Sequence, residues 1–125
     1  MGTLKTHKDL YLKFKKDALK NGLYQGTRVE AYFLSVFQLI EACAARERIH
    51  INKHQEVRSV LEKEDQIFEK ETEKVWRAFQ KIENQLRPKF AYSLSWEKKD
   101  LKEIQSQYEK IEKICQRKLE NAWAK

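Results

Sequence analysis

An all-α fold, an antiparallel up-and-down bundle of four to five helices, is what this sequence predicts, and three observations predict it. Glycine and proline are scarce, at 3 and 1 of 125 residues. Charged residues reach 36% and hydrophobic ones 41%, the mixture of packed amphipathic helices rather than of a sheet or a disordered tail. Apolar residues recur at three- and four-residue steps through nearly the whole chain, which stacks them on one side of a helix. At this length residues 1–125 form one domain, able to bury an ordinary core without disulfides or a metal.

The first helix is expected from about Lys5 to Asn21, with Leu10, Phe14 and Ala18 on one face. It is the most basic segment, with Lys5, Lys8, Lys13, Lys15, Lys16 and Lys20 against Asp9 and Asp17. Asn21-Gly22 reads as its C-cap and Gly26 as the turn, because such residues tolerate the left-handed conformation that ends helices. Thr27 is the expected N-cap of the second helix, with Glu30 as its capping-box partner. Val29, Tyr32, Phe33, Val36, Phe37, Ile40 and Cys43 form the stripe of that helix, and Ala31, Leu39, Ala42, Ala44 and Ala45 widen it. A helix apolar nearly all round is the centre of a bundle. It breaks into a polar segment, Arg46 to His54.

The pattern resumes with Val57, Val60 and Leu61, then Ile67, Phe68, Val75, Trp76, Phe79, Ile82 and Leu86. The polar stretch Glu62 to Gln66 carries no core residue, so a break between about Glu62 and Lys70 divides a third helix near 54–63 from a fourth near 68–87. Pro88 is expected to stop the fourth helix, since the residue before proline is pushed out of the α region. Ser95 is the expected cap of the last helix, with Glu97 in its first turn. That helix carries Leu101, Ile104, Tyr108, Ile111, Cys115 and Leu119.

No run of about 18 apolar residues exists, so no membrane span is expected. Met1 to Lys20 has no apolar secretory core, and the expected location is cytoplasmic. Cys43 and Cys115 both fall on apolar faces and read as buried, reduced thiols. A net charge of +7 and a pI of about 9.4 make an acidic partner such as RNA plausible, although many helical proteins carry such a balance only to stay dissolved.

The sequence holds no phosphate-cradling glycine loop, no Cys-x-x-Cys and no His-Glu-x-x-His, so no cofactor is expected. His50 and His54 are four apart, the spacing that places two imidazoles on one helical face. No third ligand is near in sequence and the segment reads as a turn, so no metal is expected either.

Arg28-Val-Glu-Ala-Tyr32-Phe33-Leu-Ser-Val-Phe37, a loop ending in Lys53-His54, Leu86-Arg87 followed within five residues by Ala91-Tyr92, and a final amphipathic helix together resemble the HEPN superfamily of prokaryotic helical domains. The resemblance covers about Leu10 to Cys115. It implies a homodimer, in some members paired with a minimal nucleotidyltransferase, working in toxin–antitoxin or defence systems. It also implies metal-independent RNA cleavage by an Arg and a His separated by four to six residues. That chemistry needs a group that moves a proton near neutral pH and a fixed cation for the developing phosphorane charge.

Arg87 matches the arginine of that signature. Tyr92 stands where the histidine is expected, and no histidine follows it. A tyrosine hydroxyl, with a pKa of about 10 in water, is a poor general base at neutral pH. The signature is therefore degenerate, and Tyr92 becomes instead a candidate core-edge aromatic or a target for nucleotide attachment. Arg48 and His54 meet the same spacing earlier in the chain, which makes His54 a competing candidate. The expected function is a HEPN-like component associated with RNA or with a nucleotidyltransferase. An active ribonuclease and an unrelated basic nucleic-acid-binding bundle are the alternatives.

Overall fold

The computed structural model describes residues 4–20, 22–92 and 97–123, with the backbone alone at 91–92 and 121–123. The elements are α1 (Leu4–Ala18), α2 (Gln25–Arg46), α3 (Val57–Lys63), α4 (Thr72–Gln80), α5 (Arg87–Tyr92) and α6 (Lys98–Trp123). Short 3₁₀ turns at His54–Glu56 and Glu69–Glu71 lead into α3 and α4, and a π-helical turn, Lys81–Leu86, joins α4 to α5 in one rod. No strand occurs among the described residues.

Side-chain pairings give the directions. His7 meets Gln38, and Arg28 donates to the Ala18 carbonyl, so α1 and α2 run antiparallel. Phe79 stacks on Phe33 at 5.4 Å while Arg87 reaches Glu30, so the α4–α5 rod is antiparallel to α2. Lys81 pairs with Glu103 and Lys89 with Asp100, which sets α6 antiparallel to that rod. Tyr32 meets Tyr108 and Cys43 meets Cys115, so α2 and α6 run parallel. The result is an up-down-up-down bundle with α3 as a short excursion, held on α4 where Arg58 lies 4.0 Å over the Trp76 ring.

As its composition demands, α2 is the centre. Val36, Leu39, Ile40, Ala42 and Ala44 are wholly buried, and α1, the α4–α5 rod and α6 all pack on it. Polar groups in this core are partnered, with Glu41 Oε1 the exception among the described residues. The Ser35 hydroxyl donates to the Tyr11 carbonyl and shares a bond of 2.9 Å with the Tyr108 hydroxyl, while Tyr11 donates to Glu112. Burial pushes both tyrosine hydroxyls far above their ordinary range, with the Glu112 carboxylate adding to the effect. Cys43 and Cys115 are buried free thiols, and burial raises the Cys115 thiol well above its usual value.

α1 ends at Ala18, short of the expected Asn21-Gly22 cap, and three further boundaries differ from those read in the sequence. α2 begins at Gln25, so Gly26 and Thr27 lie inside its first turn, and its N-cap position, Tyr24, makes no side-chain capping bond. Glu30 is drawn instead to the guanidinium of Arg87. Asn21, half of the expected C-cap, lies outside the described residues.

Pro88 does not end the fourth helix. Proline disturbs a helix by removing a donor and by pressing its ring on the carbonyl four residues back. Here the turn before it is widened, and the Arg87 N–H donates to Ile82, five residues back. Arg87 itself keeps helical angles (φ −56°, ψ −45°), and buried Leu86 and Phe90 hold the rod on its path across the proline. Pro88 then occupies the first turn of α5, where a missing N–H costs little.

The third difference is the cap of α6. Its carboxylate is Asp100, whose Oδ2 accepts from the Glu97 N–H at 2.8 Å while Oδ1 accepts from Lys89. This is the returning half of a capping box. Ser95 and Trp96 lie outside the described residues.

Two outcomes follow. Phe79→Ala is expected to lower stability by about 3–5 kcal/mol, read from denaturant unfolding, because it empties a wholly buried site between Phe33 and Phe37. The Asp100 carboxyl is held below the usual range by the Glu97 N–H and then by Lys89. Its contribution is therefore complete above the unfolded carboxyl pKa of about 4 and is lost as pH falls below it. Asp100→Asn should flatten the acid limb of stability against pH, and an unchanged limb would show that the cap is inert.

Candidate functional site

One stripe of α2 organises the candidate site. Glu30, Phe33, Phe37 and Glu41 follow one another at three- and four-residue steps and so share a face. After α2 the chain turns at Arg48, where φ is 61°, and then runs back without helical structure to His54. An extended chain covers about 3.3 Å per residue and a helix about 1.5 Å. The short return segment can therefore retrace much of α2, laying His50 beside Glu41 and His54 beside Phe37 and Phe33.

Arg87 arrives on the same stripe from the α4–α5 rod. Its Nε donates to the Glu30 carboxylate, with the second oxygen at 3.2 Å, and its guanidinium carbon stands 4.3 Å over the Phe33 ring. A planar guanidinium satisfies both geometries at once, which an ammonium does not. Arg87 faces a cleft of about 360 Å³ shared with Tyr24, Thr27, Glu30 and Phe90. Tyr24 is the most exposed large side chain there, at 66%.

His54 reaches Phe33 from another side. Its ring meets Phe33 edge-on at 5.1 Å, and its Nδ1 is paired with the Glu83 carboxylate. Nε2 is thereby left as the nitrogen open to a ligand, and the side chain is 31% exposed. A carboxylate holding one imidazole nitrogen fixes the orientation of the other, an arrangement that suits proton transfer.

The sequence candidates are thus distributed as follows. Arg87 and His54, distant in sequence, share the Phe33 ring, although His54 does not line the Arg87 cleft. Arg48 sits on the exposed corner after α2, while His54 lies back against the aromatic stripe. The Tyr92 backbone closes α5, and its side chain lies outside the described residues. Glu30, Phe33 and Glu83 are the members that the sequence alone did not assign to a site. Glu83, a carboxylate between buried Ile82 and Leu86, was the available signal.

A second feature is electrostatic. Between α4 and α6 lies a groove of about 510 Å³ with Ala78 and Ile114 at its base. Lys74, Arg77, Lys81, Lys110, Lys113 and Arg117 line it, with Glu71 the single carboxylate among the lining residues. Lys81 is paired with Glu103, Arg77 with Glu73 and Lys74 with Glu71. Lys110, Lys113 and Arg117 form one stripe of α6 and make no ion pair among the described residues. The lysines of α1, by contrast, are spread over an exposed face, with Lys15 committed to Glu112.

Among the described residues, His7, Glu41 and His50 are the one group whose donor atoms lie close enough to share a metal ion. They stand three helical turns from Glu30, roughly 16 Å along α2. No family model, no curated protein and no solved structure matches this chain.

Arg87→Lys is expected to lower stability by about 1 kcal/mol, because the flat contact with Phe33 and the Nε bond shared by the two Glu30 oxygens are both lost. Equilibrium unfolding beside Glu30→Gln checks this, and additive losses in the double variant would show that the two side chains do not act together.

Proposed function

We propose that this chain is a HEPN-like helical domain that binds RNA through the groove between α4 and α6. The observation that carries the reading is the stripe Lys110, Lys113 and Arg117, three cations that make no ion pair among the described residues and line a groove with three more. A polyanion recruits such a stripe by releasing its counterions, and aliphatic stems over Ala78 and Ile114 leave a floor for the less polar parts of the nucleotide. The resemblance adds a homodimer, with a minimal nucleotidyltransferase as a possible second partner in a toxin–antitoxin or defence setting.

Fluorescence anisotropy with a labelled single-stranded RNA, repeated across a salt series, tests this. Replacing Lys110, Lys113 and Arg117 together by Glu should weaken binding steeply and reduce the log–log salt slope by about 2. Salt-independent binding, or binding unchanged in the triple variant, defeats the reading.

A second reading, metal-independent RNA cleavage, is favoured by Arg87 and His54 sharing Phe33. In it, His54 Nε2 takes the proton of a 2′-hydroxyl as that oxygen bonds to phosphorus, and the bond to the 5′-oxygen breaks with a proton returned to the leaving oxygen. Arg87 would offset the charge on the phosphoryl oxygens. Cleavage in the presence of EDTA, lost in both Arg87→Ala and His54→Ala, supports it. RNA left intact by the unmutated chain removes it and leaves the binding reading in place.

A further inference from the structure

We infer that His7, Glu41 and His50 form a transition-metal site of the zinc class, joining α1, α2 and the segment that returns along α2. The geometry is already assembled. His7 Nδ1 lies 3.6 Å from Glu41 Oε2, and His50 Nδ1 lies 4.0 Å from Glu41 Oε1. One donor atom from each residue falls within 4.8 Å of the others. Two imidazoles and a carboxylate are the donor set that borderline divalent ions take, with a water completing four-coordination.

The independent sign of a ligand is the carboxylate itself. Glu41 is only 6% exposed, and its Oε1 has no hydrogen-bond partner among the described residues. A buried carboxylate oxygen without a partner is costly, and the solutions that proteins use are a hydrogen bond, a countercharge or a metal. Burial also pushes the Glu41 carboxyl upward, opposed by His7, then His50 and then the Ile51 backbone N–H. A divalent cation between the three donors neutralises the carboxylate and lets both imidazoles remain neutral ligands.

The site also has a means of closing and an entrance. Metal–ligand distances of about 2.0–2.2 Å require the donors to draw together from their present spacing. His7 is 5% exposed and so is the buried wall; its Nδ1 stands 2.7 Å from Gln38 Oε1, a bond that orients the ring if Nε2 is the ligand and must give way if Nδ1 is. His50 is on the return segment with its side chain 41% exposed, so it supplies the movement and marks the route from solvent. His54 follows four residues later, so ligation at His50 would fix the segment that presents it.

The test uses the full chain, stripped with EDTA, dialysed and titrated with Zn²⁺ by calorimetry at neutral pH, with Co²⁺ as a spectroscopic probe. One ion per chain is expected, at micromolar affinity or tighter, with a raised thermal midpoint and the visible bands of four-coordinate Co²⁺ bound by nitrogen and oxygen. Outer-shell changes alone cost metal sites about 10–100-fold, so Glu41→Gln and His50→Ala should each weaken binding by about 100-fold or more. His50 lies on an exposed segment, so its variant reports binding even where a change at His7 or Glu41 disturbs folding. Three results overturn the inference: no saturable Zn²⁺ or Co²⁺ binding at millimolar concentration, affinity unchanged in both variants, or a Co²⁺ spectrum with the strong sulfur charge-transfer bands that Cys43 or Cys115 would give.

Discussion

The structure depends on α2 having almost no polar surface of its own. Its second half, from Val36 to Ala44, includes Leu39, Ile40 and Ala42, which are closed to solvent. Apolar area is stabilised only by being covered, at about 25 cal/mol per Å². A helix of this kind therefore needs neighbours on every side. α1, α6 and the α4–α5 rod supply three of them. The return segment supplies another, with Ile51 buried and His54 against Phe33 and Phe37.

That enclosure explains where chemistry can reside. Polar side chains buried on α2 cannot turn to solvent, so each must meet a partner brought by another element, and half-exposed Glu30 meets one too. Ser35 meets Tyr11 and Tyr108, Glu30 meets Arg87, and Glu41 meets the two histidines. Phe33 and Phe37 separate the two carboxylates, with His54 against both rings. A single face of one helix thus carries two charged clusters with an aromatic layer between them. Removing one member of the Glu41 cluster leaves a poorly hydrated charge behind, which costs more than the pair itself contributes, whereas the Arg87–Glu30 pair is half-exposed and screened by solvent.

Much of the fold could be read from the sequence because it is written in local periodicity. The α2 stripe, the α6 stripe from Leu101 to Leu119 and the break after Lys63 all depend on residues within a few turns of one another. Pro88 was misjudged because the rule for proline is local, whereas the widened turn and the burial of Leu86 and Phe90 that override it are tertiary. Glu30 was assigned to a cap for the same reason. A carboxylate near a helix start has a local use, and only the packed rod brings Arg87 within its reach. For the candidate site, Arg87 and His54 were visible as residue types, but their common contact at Phe33 is a product of topology. The grouping of His7 with Glu41 and His50 was equally out of reach, since His50 and His54 are neighbours in sequence yet part company along the return segment.

The π-helical turn from Lys81 to Leu86 behaves as a single-residue insertion that the rod absorbed without breaking. In an α-helix each residue advances the azimuth by about 100°. Everything beyond the insertion is therefore rotated relative to an unbroken continuation of α4. Phe79, before the turn, and Arg87, after it, both end on the α2 stripe because of that added rotation. Shortening the turn by one residue would restore regular helix with Arg87 about seven steps, or about 700°, beyond Phe79, and so still on the same face. Winding the present residues as regular helix would instead set Arg87 about 80° from Phe79, and the ring of Phe33 would lose its cation.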